Sequence, residues 1–287
     1  MLAFSRIPGN ALSFWIRRTL RWSRGRPVLP HEAKDGLFAY LGSRAGEAVA
    51  RETALRERYR LDPLARASTR GLYRKNLYLI DILEKAAAGM PIPSRDAPLP
   101  SGEAGRLNAL DVGSQDWHYV FALERWLRFA NRDIERRISL TGVEVDGYGI
   151  YPDFHSRRDY AEAYAAQTGN PEVTFEIADF LELRNREYDV LTVFYPFVLR
   201  HHLLLWGLPL RYFKPEGFFP KAAALIRPGG WLLVFTHTLR EHDRLLEWGR
   251  ASREFILAKE GAALSELVDF HEDVADRRFS VWRRSAS

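Results

Sequence analysis

The second part of this chain alternates between short aliphatic segments and longer segments with helical spacing. Aliphatic runs of this length are typical of buried strands, and the intervening segments carry apolar residues three and four positions apart. The predicted strands are residues 107–112, 138–145, 173–178, 188–194, 231–237, 264–273 and 277–284, and the predicted helices are 118–137, 156–169, 220–230 and 240–259. Strands that alternate with helices pair in parallel, whereas the last two strands form a hairpin. The pattern therefore predicts an α/β fold around a seven-stranded mixed sheet.

The first 105 residues do not follow this alternation. Residues 31–88 are predicted to be helical, most clearly where Tyr73, Leu77, Ile80 and Leu83 recur at helical spacing. Residues 89–105 contain four prolines and no periodicity, which is typical of a linker. We therefore divide the chain into a basic amphipathic segment, 1–30, a helical extension with its linker, 31–105, and an α/β domain, 106–287.

The excess of positive charge lies entirely in the first segment. Residues 1–30 contain six arginines and no acidic residue, whereas the remainder carries 36 Lys and Arg against 37 Asp and Glu. A net charge of +5 would otherwise favour a nucleic-acid binder. Because the body of the protein is close to neutral, the charge argues against a nucleic-acid partner.

The basic segment has two faces on a helical wheel, at about 100° per residue. Arginines at positions 17, 21 and 24 share one face, and the opposite face carries Leu12, Trp15, Ile16 and Trp22. The sequence leaves three interpretations open. The helix packs its apolar face on the body with its arginines in solvent, which we favour, or residues 11–26 contact an anionic membrane surface peripherally, or the segment is an organelle transit peptide.

The absence of cysteine limits the chemistry of the chain. Without thiols there is no disulfide, zinc–thiolate site, iron–sulfur cluster or thiol nucleophile. No apolar run reaches the roughly 18–20 residues that span a bilayer, and none resembles a signal-peptide core. The three histidines considered below have no recognised metal-ligand spacing, so no metal site is predicted. These features are consistent with a cytoplasmic protein.

Acidic residues stand at the ends of the first three predicted strands, where α/β sheets bind their ligands. Asp111 precedes Gly113, Glu144 ends the second strand, and Asp179 lies beside Phe180. A glycine lets backbone approach a ligand, an acid after the second strand can accept hydrogen bonds from ribose hydroxyls, and an aromatic ring can face a purine. The pattern therefore favours a nucleoside-containing ligand.

The ordered segments LDVGS, GVEVD, ADF, YDVLTVF and LIRPGGWLLVF resemble the class I S-adenosylmethionine-dependent methyltransferases over roughly residues 107–284. The resemblance implies a Rossmann-like sheet, S-adenosylmethionine as cofactor, and methyl transfer. It implies that Asp111 and Gly113 line the methionine end of the cofactor, that Glu144 holds the ribose hydroxyls, and that Asp179 and Phe180 contact adenine. The predicted cofactor-binding residues are Asp111, Gly113, Ser114, Gln115, Glu144, Val145, Asp179, Phe180 and Phe194.

The chain departs from this family in its first motif. The family has glycines two and four residues after the first one, where this chain has Gln115 and Trp117. We expect these larger residues to narrow the cofactor cleft or to reshape its entrance. Two alternatives to methyl transfer therefore remain: a non-catalytic cofactor-binding or scaffold protein of the same fold, and a nicotinamide-dependent oxidoreductase. The second is disfavoured because no G-x-G-x-x-G follows the first strand.

The fourth strand leads into residues 194–197, which the resemblance places opposite the transferred methyl group. These residues lack the amide or acid and the second proline typical of enzymes that methylate exocyclic amino groups. We predict a small-molecule acceptor whose nucleophilic atom the sequence does not specify. The candidate catalytic residues are Tyr195 and, since imidazole titrates near neutrality, His201, His202 and His237. Residues 203–220, rich in aromatic residues and proline, are predicted either to wall an acceptor pocket or to pack on the N-terminal region.

Overall fold

The computed structural model describes residues 6–90, 106–130, 136–267 and 276–285, with the side chains of residues 6–8 left out. Seven strands form one sheet in this part of the chain: β1 Arg106–Val112, β2 Arg137–Val143, β3 Val173–Glu176, β4 Tyr188–Phe194, β5 Ile226–Thr236, β6 Phe255–Ala262 and β7 Arg278–Arg284. Their order is β3-β2-β1-β4-β5-β7-β6. The first five pair in parallel, and β7 runs antiparallel to both β5 and β6. The predicted seven-stranded mixed sheet is confirmed.

Helices precede the sheet and connect its strands. They are α1 Arg6–Leu20, α2 Ala45–Arg58, α3 Asp62–Arg66, α4 Arg70–Ala87, α5 Val120–Phe129, α6 Arg157–Gln167, α7 Arg200–Leu205, α8 Phe218–Leu225 and α9 Leu239–Ala251. Side-chain caps fix several starts: Thr69 caps α4, and capping boxes begin α6 at Ser156 and α9 at Thr238. These bonds satisfy backbone N–H groups that have no partner within the helix.

The apolar stripe predicted in α4 is buried against the α/β part of the chain. Tyr73, Leu77, Ile80 and Leu83 are all fully buried, in one core with α5 and the first strands. Asn76 of α4 adds polar contacts, because its Nδ2 donates to the carbonyl of residue 118 at 3.1 Å. The helical extension and the sheet therefore share a hydrophobic core. The predicted domain boundary at residues 105/106 borders residues 91–105, outside the described residues, and stays a prediction.

The end of the chain differs from the prediction. The predicted helix 240–259 ends at residue 251, and β6 begins at Phe255 after a left-handed Arg253. After the buried Phe255, exposed and partly buried residues alternate along β6, which is typical of an antiparallel strand with one face in water. The predicted strand 264–273 is wrong for residues 264–267, which form no strand, and residues 268–273 lie outside the described part. Helical spacing passes into strand alternation within a few residues here, so the sequence pattern does not show where the helix ends.

Two further helix boundaries were misplaced. The predicted helix 220–230 is α8, which begins at Phe218 and ends at Leu225, and the Arg-Pro-Gly-Gly segment already belongs to β5. The predicted helix 118–137 is α5, which ends at Phe129, and residues 131–135 are not described. The strand after α8 was predicted at 231–237 and begins earlier, at residue 226, but the order of the elements is as predicted, so these errors do not change the topology.

Helix α1 packs on the body of the protein through the face opposite to the one we favoured. Phe14 is fully buried, and Arg17 lies against the body, whereas Leu12 and Trp15 are each 59% exposed and Leu20 is 70% exposed. The helix ends at Leu20 because Arg21 adopts a left-handed conformation, φ 48°. The interpretation that α1 buries its apolar face and exposes its arginines is therefore wrong. Among the described residues, no helix is long and apolar enough to cross a membrane.

Candidate functional site

The turn after β1 has a left-handed backbone at three alternate residues. The φ angles are 75° at Gly113, 57° at Gln115 and 55° at Trp117. The amide of Gly113 donates to the carbonyl of Val143 at 2.9 Å, which ties the turn to β2. The left-handed region favours glycine, because a Cβ crowds the following carbonyl. The positions two and four residues after Gly113 therefore keep a glycine-like backbone, although they carry larger side chains.

Asp111, at the end of β1, is fully buried and accepts three side-chain hydrogen bonds. The indole Nε1 of Trp117 and the hydroxyl of Tyr119 donate to its Oδ2, at 2.9 and 2.8 Å, and the hydroxyl of Thr192 donates to its Oδ1 at 2.6 Å. Burial raises the pKa of Asp111 to about 6, and these hydrogen bonds oppose a larger rise. The carboxylate thus connects the turn, the start of α5 and β4. Its role at the methionine end of a cofactor stays a prediction.

The side chain of Trp117 lies in the core rather than at the entrance of the cleft. It is fully buried among residues of α4, α5 and the sheet, with its ring centroid 6.0 Å from that of Phe175. Gly142 provides the space, since a Cβ there would stand 2.6 Å from the indole. The side chain of Trp117 therefore does not occupy the cleft, whereas the expectation that Gln115 narrows the cleft or reshapes its entrance stays a prediction.

Glu144 connects the ends of β1 and β2. Its Oε2 accepts from the amide of Gln115 at 3.0 Å and its Oε1 from the amide of Asp146 at 2.9 Å. The residue is only 5% exposed, and burial raises its pKa, while Arg157 and the two amides oppose the rise. An ionised carboxylate offers about four acceptor positions. The two amides use one acceptor position on each oxygen.

The third strand supplies a carboxylate and an aromatic ring at the same edge. Asp179 is half-buried, and its Oδ1 accepts from the amide of Leu181 at 2.9 Å, which caps a short turn of helix at residues 180–182. Phe180 is buried, with its ring centroid 5.8 Å from that of Phe218. Of the other predicted cofactor residues, Ser114 and Phe194 are buried, and Val145 packs on the cluster described next.

Helix α1 and the segment after β4 cover the end of β2. Arg17 donates to both carboxylate oxygens of Asp146, at 3.0 and 3.1 Å, and Arg157 donates to one of them at 3.2 Å. Beside this ion pair, Phe14 packs in a cluster with Leu203, Leu204 and Leu208. The 203–220 segment therefore packs on the N-terminal helix, which is one of its two predicted roles.

Tyr195 and His237 form a stacked pair where β4 and β5 end. Their ring centroids are 3.8 Å apart with an interplanar angle of 13°. The Tyr195 hydroxyl lies 3.5 Å from that of Tyr78 on α4, and the guanidinium of Arg277 is 5.1 Å from the Tyr195 ring centroid. Burial and the charge of Arg277 lower the pKa of His237 to about 4.

Tyr78 and Arg277 were missed because no sequence pattern selects them. Tyr78 comes from the helical extension, 117 residues before Tyr195. Arg277 precedes β7, and an antiparallel strand begins at the edge where its parallel neighbours end. Only the long-range topology brings these residues to the pair.

His202 is oriented by a buried glutamate. Its Nδ1 lies 2.6 Å from Oε1 of Glu241, which is 1% exposed. The other oxygen of Glu241 accepts from the backbone amide of His237 at 3.2 Å. The third candidate, His201, is exposed, and partial burial and the neighbouring His202 lower its pKa. Glu241 was missed, although Thr238 three residues before it is a capping-box signal in the sequence.

A cavity of about 660 Å³ lies between the segment after β4 and helix α9, and Arg200 of its lining precedes His201 in the chain. Its apolar wall contains Val198, Leu199, Phe213 and Trp248, and its polar rim contains Arg200, Arg240, Asp243, Arg244 and Glu247. Such a volume is typical of small-molecule sites. Within the described ranges, no group of three histidine or carboxylate side chains could hold a metal ion.

The residues at the strand ends fit the cofactor that the sequence resemblance implies. A Cβ on Gly113 would find no atom within 4 Å, so the backbone of the turn has open space beside it. Glu144 accepts one amide on each of its oxygens, and the carboxylate of Asp179 is half-buried rather than enclosed. Acceptors of this kind suit ribose hydroxyls and an exocyclic amine.

No family model and no curated protein matches the chain. Solved structures with a similar fold include TrmN from Thermus thermophilus, at 18% identity and a TM-score of 0.46 over 73% of this chain. They also include the N-methyltransferase NodS from Bradyrhizobium japonicum in complex with S-adenosyl-l-homocysteine. NodS is 11% identical, with a TM-score of 0.43 over 82% of this chain and 98% of NodS. The [4+2]-cyclase SpnF is 13% identical, with a TM-score of 0.46 over 73% of this chain and 81% of SpnF.

The chain spans about half the length of TrmN, 48% of that protein. Similarity at such low sequence identity bears on the fold alone, and a fold by itself does not determine an activity. The stronger observations are the order of the strands and the order of the sequence motifs along them. Together they show that this chain has the Rossmann-like α/β fold of the class I S-adenosylmethionine-dependent methyltransferases.

Proposed function

We propose that this protein is an S-adenosylmethionine-dependent methyltransferase that acts on a small molecule. The observation that carries the proposal is the left-handed turn at Gly113, Gln115 and Trp117, together with its hydrogen bond to Glu144. The turn keeps a backbone suited to a glycine-rich motif, at the strand ends where α/β sheets bind ligands. Glu144 would hold the ribose hydroxyls, and Asp179 with Phe180 would contact adenine.

The bound cofactor would supply an electrophilic methyl group. The contribution of the chain is to hold the acceptor in line with that group, and orientation of this kind accounts for much of the rate acceleration in bimolecular reactions. We assign the acceptor to the cavity beside α9, where Leu199, Phe213 and Trp248 would contact its apolar part. The two acids and three arginines of the rim leave an excess of positive charge, which favours an acceptor with an anionic substituent.

Two histidines are candidates for removing the acceptor's proton. The lowered pKa of His237 keeps its imidazole neutral at pH 7, so it can accept a proton. His202 has its Nδ1 engaged by Glu241, which leaves Nε2 as its free ring nitrogen. Substituting each histidine by glutamine separates the two roles. Loss of turnover with unchanged cofactor affinity identifies the base.

Calorimetric titration of the full chain with S-adenosylmethionine and S-adenosylhomocysteine tests the proposal. We expect Glu144→Gln to weaken binding by about 10- to 100-fold, because a hydrogen bond to a charged group contributes about 1.5–3 kcal/mol. Glu187→Gln is the matched control, since Glu187 is 68% exposed in an ion pair with Arg227. Circular dichroism verifies that both variants are folded. The absence of binding by the unsubstituted chain would overturn the proposal, and binding of a nicotinamide dinucleotide instead would support the oxidoreductase.

A second function is favoured by how completely the site's acids are occupied. Asp111 is fully buried with three donors, and Glu144 is 5% exposed. Both features suit a non-catalytic protein that keeps the fold as a scaffold or binds the cofactor without turnover. Release of S-adenosylhomocysteine over a panel of small acceptors distinguishes the two functions. Binding without turnover on any acceptor would favour the scaffold.

A further inference from the structure

Helix α1 is held to the body of the protein along one face. Asn10 donates to the carbonyl of Leu204 at 2.9 Å, Phe14 is fully buried, and Arg17 is paired with Asp146. Arg18 donates to the hydroxyl of residue 212 at 3.2 Å. These residues recur four, three and one positions apart, so they share one side of the helix. The orientation of α1 about its own axis is therefore fixed.

The opposite side of α1 presents an apolar surface to solvent. Leu12, Trp15, Ile16 and Leu20 are exposed by 59%, 59%, 40% and 70%. Just beyond the helix, Trp22 is 47% exposed and its indole donates to a backbone carbonyl at 2.8 Å, which holds it in place. We call these five residues the outer patch. An amphipathic helix in a globular protein ordinarily turns such a stripe toward the core.

Exposed arginines follow the outer patch along the chain. The first 30 residues contain six arginines and no acidic residue. Two of these arginines are engaged with the body, whereas Arg21, Arg24 and Arg26 are exposed immediately after the helix. Arg24 also donates to a backbone carbonyl at 2.9 Å, an interaction that does not neutralise its charge. The carboxylate of Asp159 accepts from the backbone amide of Arg24 at 3.0 Å, so acidic residues flank Arg24. The patch thus combines apolar and aromatic side chains with the exposed cations Arg21 and Arg26.

We propose that the outer patch docks this protein on the surface of an anionic phospholipid bilayer. Leucine, isoleucine and tryptophan side chains enter the boundary between headgroups and acyl chains, and the adjacent arginines contact lipid phosphates and carboxylates. A second copy of the chain is a poorer occupant. A symmetric contact would bring the same arginine-rich segment against itself, and like charges repel. The proposal does not depend on methyl transfer.

Co-sedimentation of the full chain with vesicles tests the proposal. One set of vesicles contains phosphatidylcholine with about one third phosphatidylserine, and the other contains phosphatidylcholine alone. We expect binding to the anionic vesicles, weakened by high salt, and little binding to the neutral ones. The variant Arg21→Gln/Arg26→Gln should bind about fivefold more weakly for each arginine removed.

The apolar contribution is tested by Trp15→Ser/Leu20→Ser, which changes two exposed side chains and leaves the contacts of α1 with the body intact. We expect its binding to anionic vesicles to fall by at least about tenfold. The matched control is Val49→Ser/Ile256→Ser, because these residues are 51% and 61% exposed on α2 and on the far edge strand β6. The control should bind like the unsubstituted chain, and thermal unfolding verifies that both variants are folded.

Three results would overturn the proposal. In the first, the unsubstituted chain fails to bind anionic vesicles even at low salt. In the second, Trp15→Ser/Leu20→Ser binds them as well as the control variant does. In the third, sedimentation velocity without lipid would show a dimer that Trp15→Ser/Leu20→Ser abolishes, which would assign the outer patch to a second copy of the chain.

Discussion

Replacing Asp111 by asparagine tests whether its carboxylate is buried as the structure shows. The indole of Trp117 and the hydroxyl of Tyr119 donate to one carboxylate oxygen, and the hydroxyl of Thr192 donates to the other. The amide oxygen of asparagine can accept the first two bonds. The threonine hydroxyl can turn to accept from the amide NH₂. Asp111→Asn therefore removes the charge and keeps a hydrogen bond to each of the three side chains.

The expected magnitude follows from the raised pKa of Asp111. Its value is about 6 in the folded chain, against an ordinary 3.8. The folded chain therefore holds this proton more tightly than the unfolded chain, so the contribution of Asp111 to stability rises as the pH falls. As the pH falls from about 7 to about 4.5, protonation of this single group adds about 2 kcal/mol to the free energy of unfolding. The side-chain amide of Asp111→Asn does not titrate, so the variant lacks this contribution.

Urea unfolding followed by circular dichroism measures the effect in both proteins at the two pH values. Other carboxylates with raised pKa values, such as Glu144 and Asp189, titrate in both proteins and cancel in the difference. We expect the stability of Asp111→Asn relative to the unsubstituted chain to fall by about 2 kcal/mol at the lower pH. A difference that is the same at both pH values would refute the reasoning. Asp111→Ala, which leaves buried donors unpaired, should be destabilised at both, by about 3 kcal/mol.

Three further predictions concern packing, protonation and the attachment of α1. Gly142→Ala should lower the free energy of unfolding by about 2–3 kcal/mol, because its Cβ would stand 2.6 Å from a buried indole. Urea unfolding measures this change, and unchanged stability would mean that the ring moves aside. The imidazole of His237 should titrate below 6.5 in NMR spectra assigned with His237→Gln, and a midpoint at or above 6.5 would contradict its environment. Arg17→Ala should destabilise the chain by about 1–3 kcal/mol in calorimetry, because the side chain of its partner Asp146 is only 2% exposed. Arg26→Ala, at an exposed position, should not destabilise it. Equal unfolding temperatures for the two variants would show that the ion pair of Arg17 contributes nothing.

The sheet could be predicted from the sequence because its signals are local. Each parallel strand is a short aliphatic run, and each crossover helix carries its own apolar spacing, so topology rules were enough to assemble them. The stripe of α4 at Tyr73, Leu77, Ile80 and Leu83 was buried for the same reason. The errors lie at helix boundaries and at β6, because the helical spacing of α9 passes into an alternating strand at Phe255. This strand was assigned partly to the helix 240–259, and the first strand of the hairpin was placed at 264–273 instead.

The orientation of α1 could not be predicted because long-range contacts decide it. Helical spacing identified the two faces correctly, but the face that packs was set by the pairing of Arg17 with Asp146, 129 residues away, and by the burial of Phe14. A buried carboxylate needs a partner, and an unpaired one costs more free energy than an exposed leucine. Hydrophobicity alone therefore selected the wrong face.

The candidate site was predictable only in part for a similar reason. The acids that end β1, β2 and β3 stand next to strand signals in the sequence, so their common edge followed from the topology. Glu241, Tyr78 and Arg277 lie in three distant segments, and the sequence pattern does not connect them with Tyr195 or a histidine. Helix packing and an antiparallel strand bring them to that edge.

The turn after β1 has an energetic consequence for ligand entry. Gln115 and Trp117 are held in a backbone region that costs a side chain with a Cβ about 1–2 kcal/mol. Hydrogen bonds to Glu144 and Asp111 hold this strain in the folded chain. A ligand hydroxyl that takes the place of the Gln115 amide at Glu144 frees that residue to relax. The strain released would then offset part of the cost of breaking the bond.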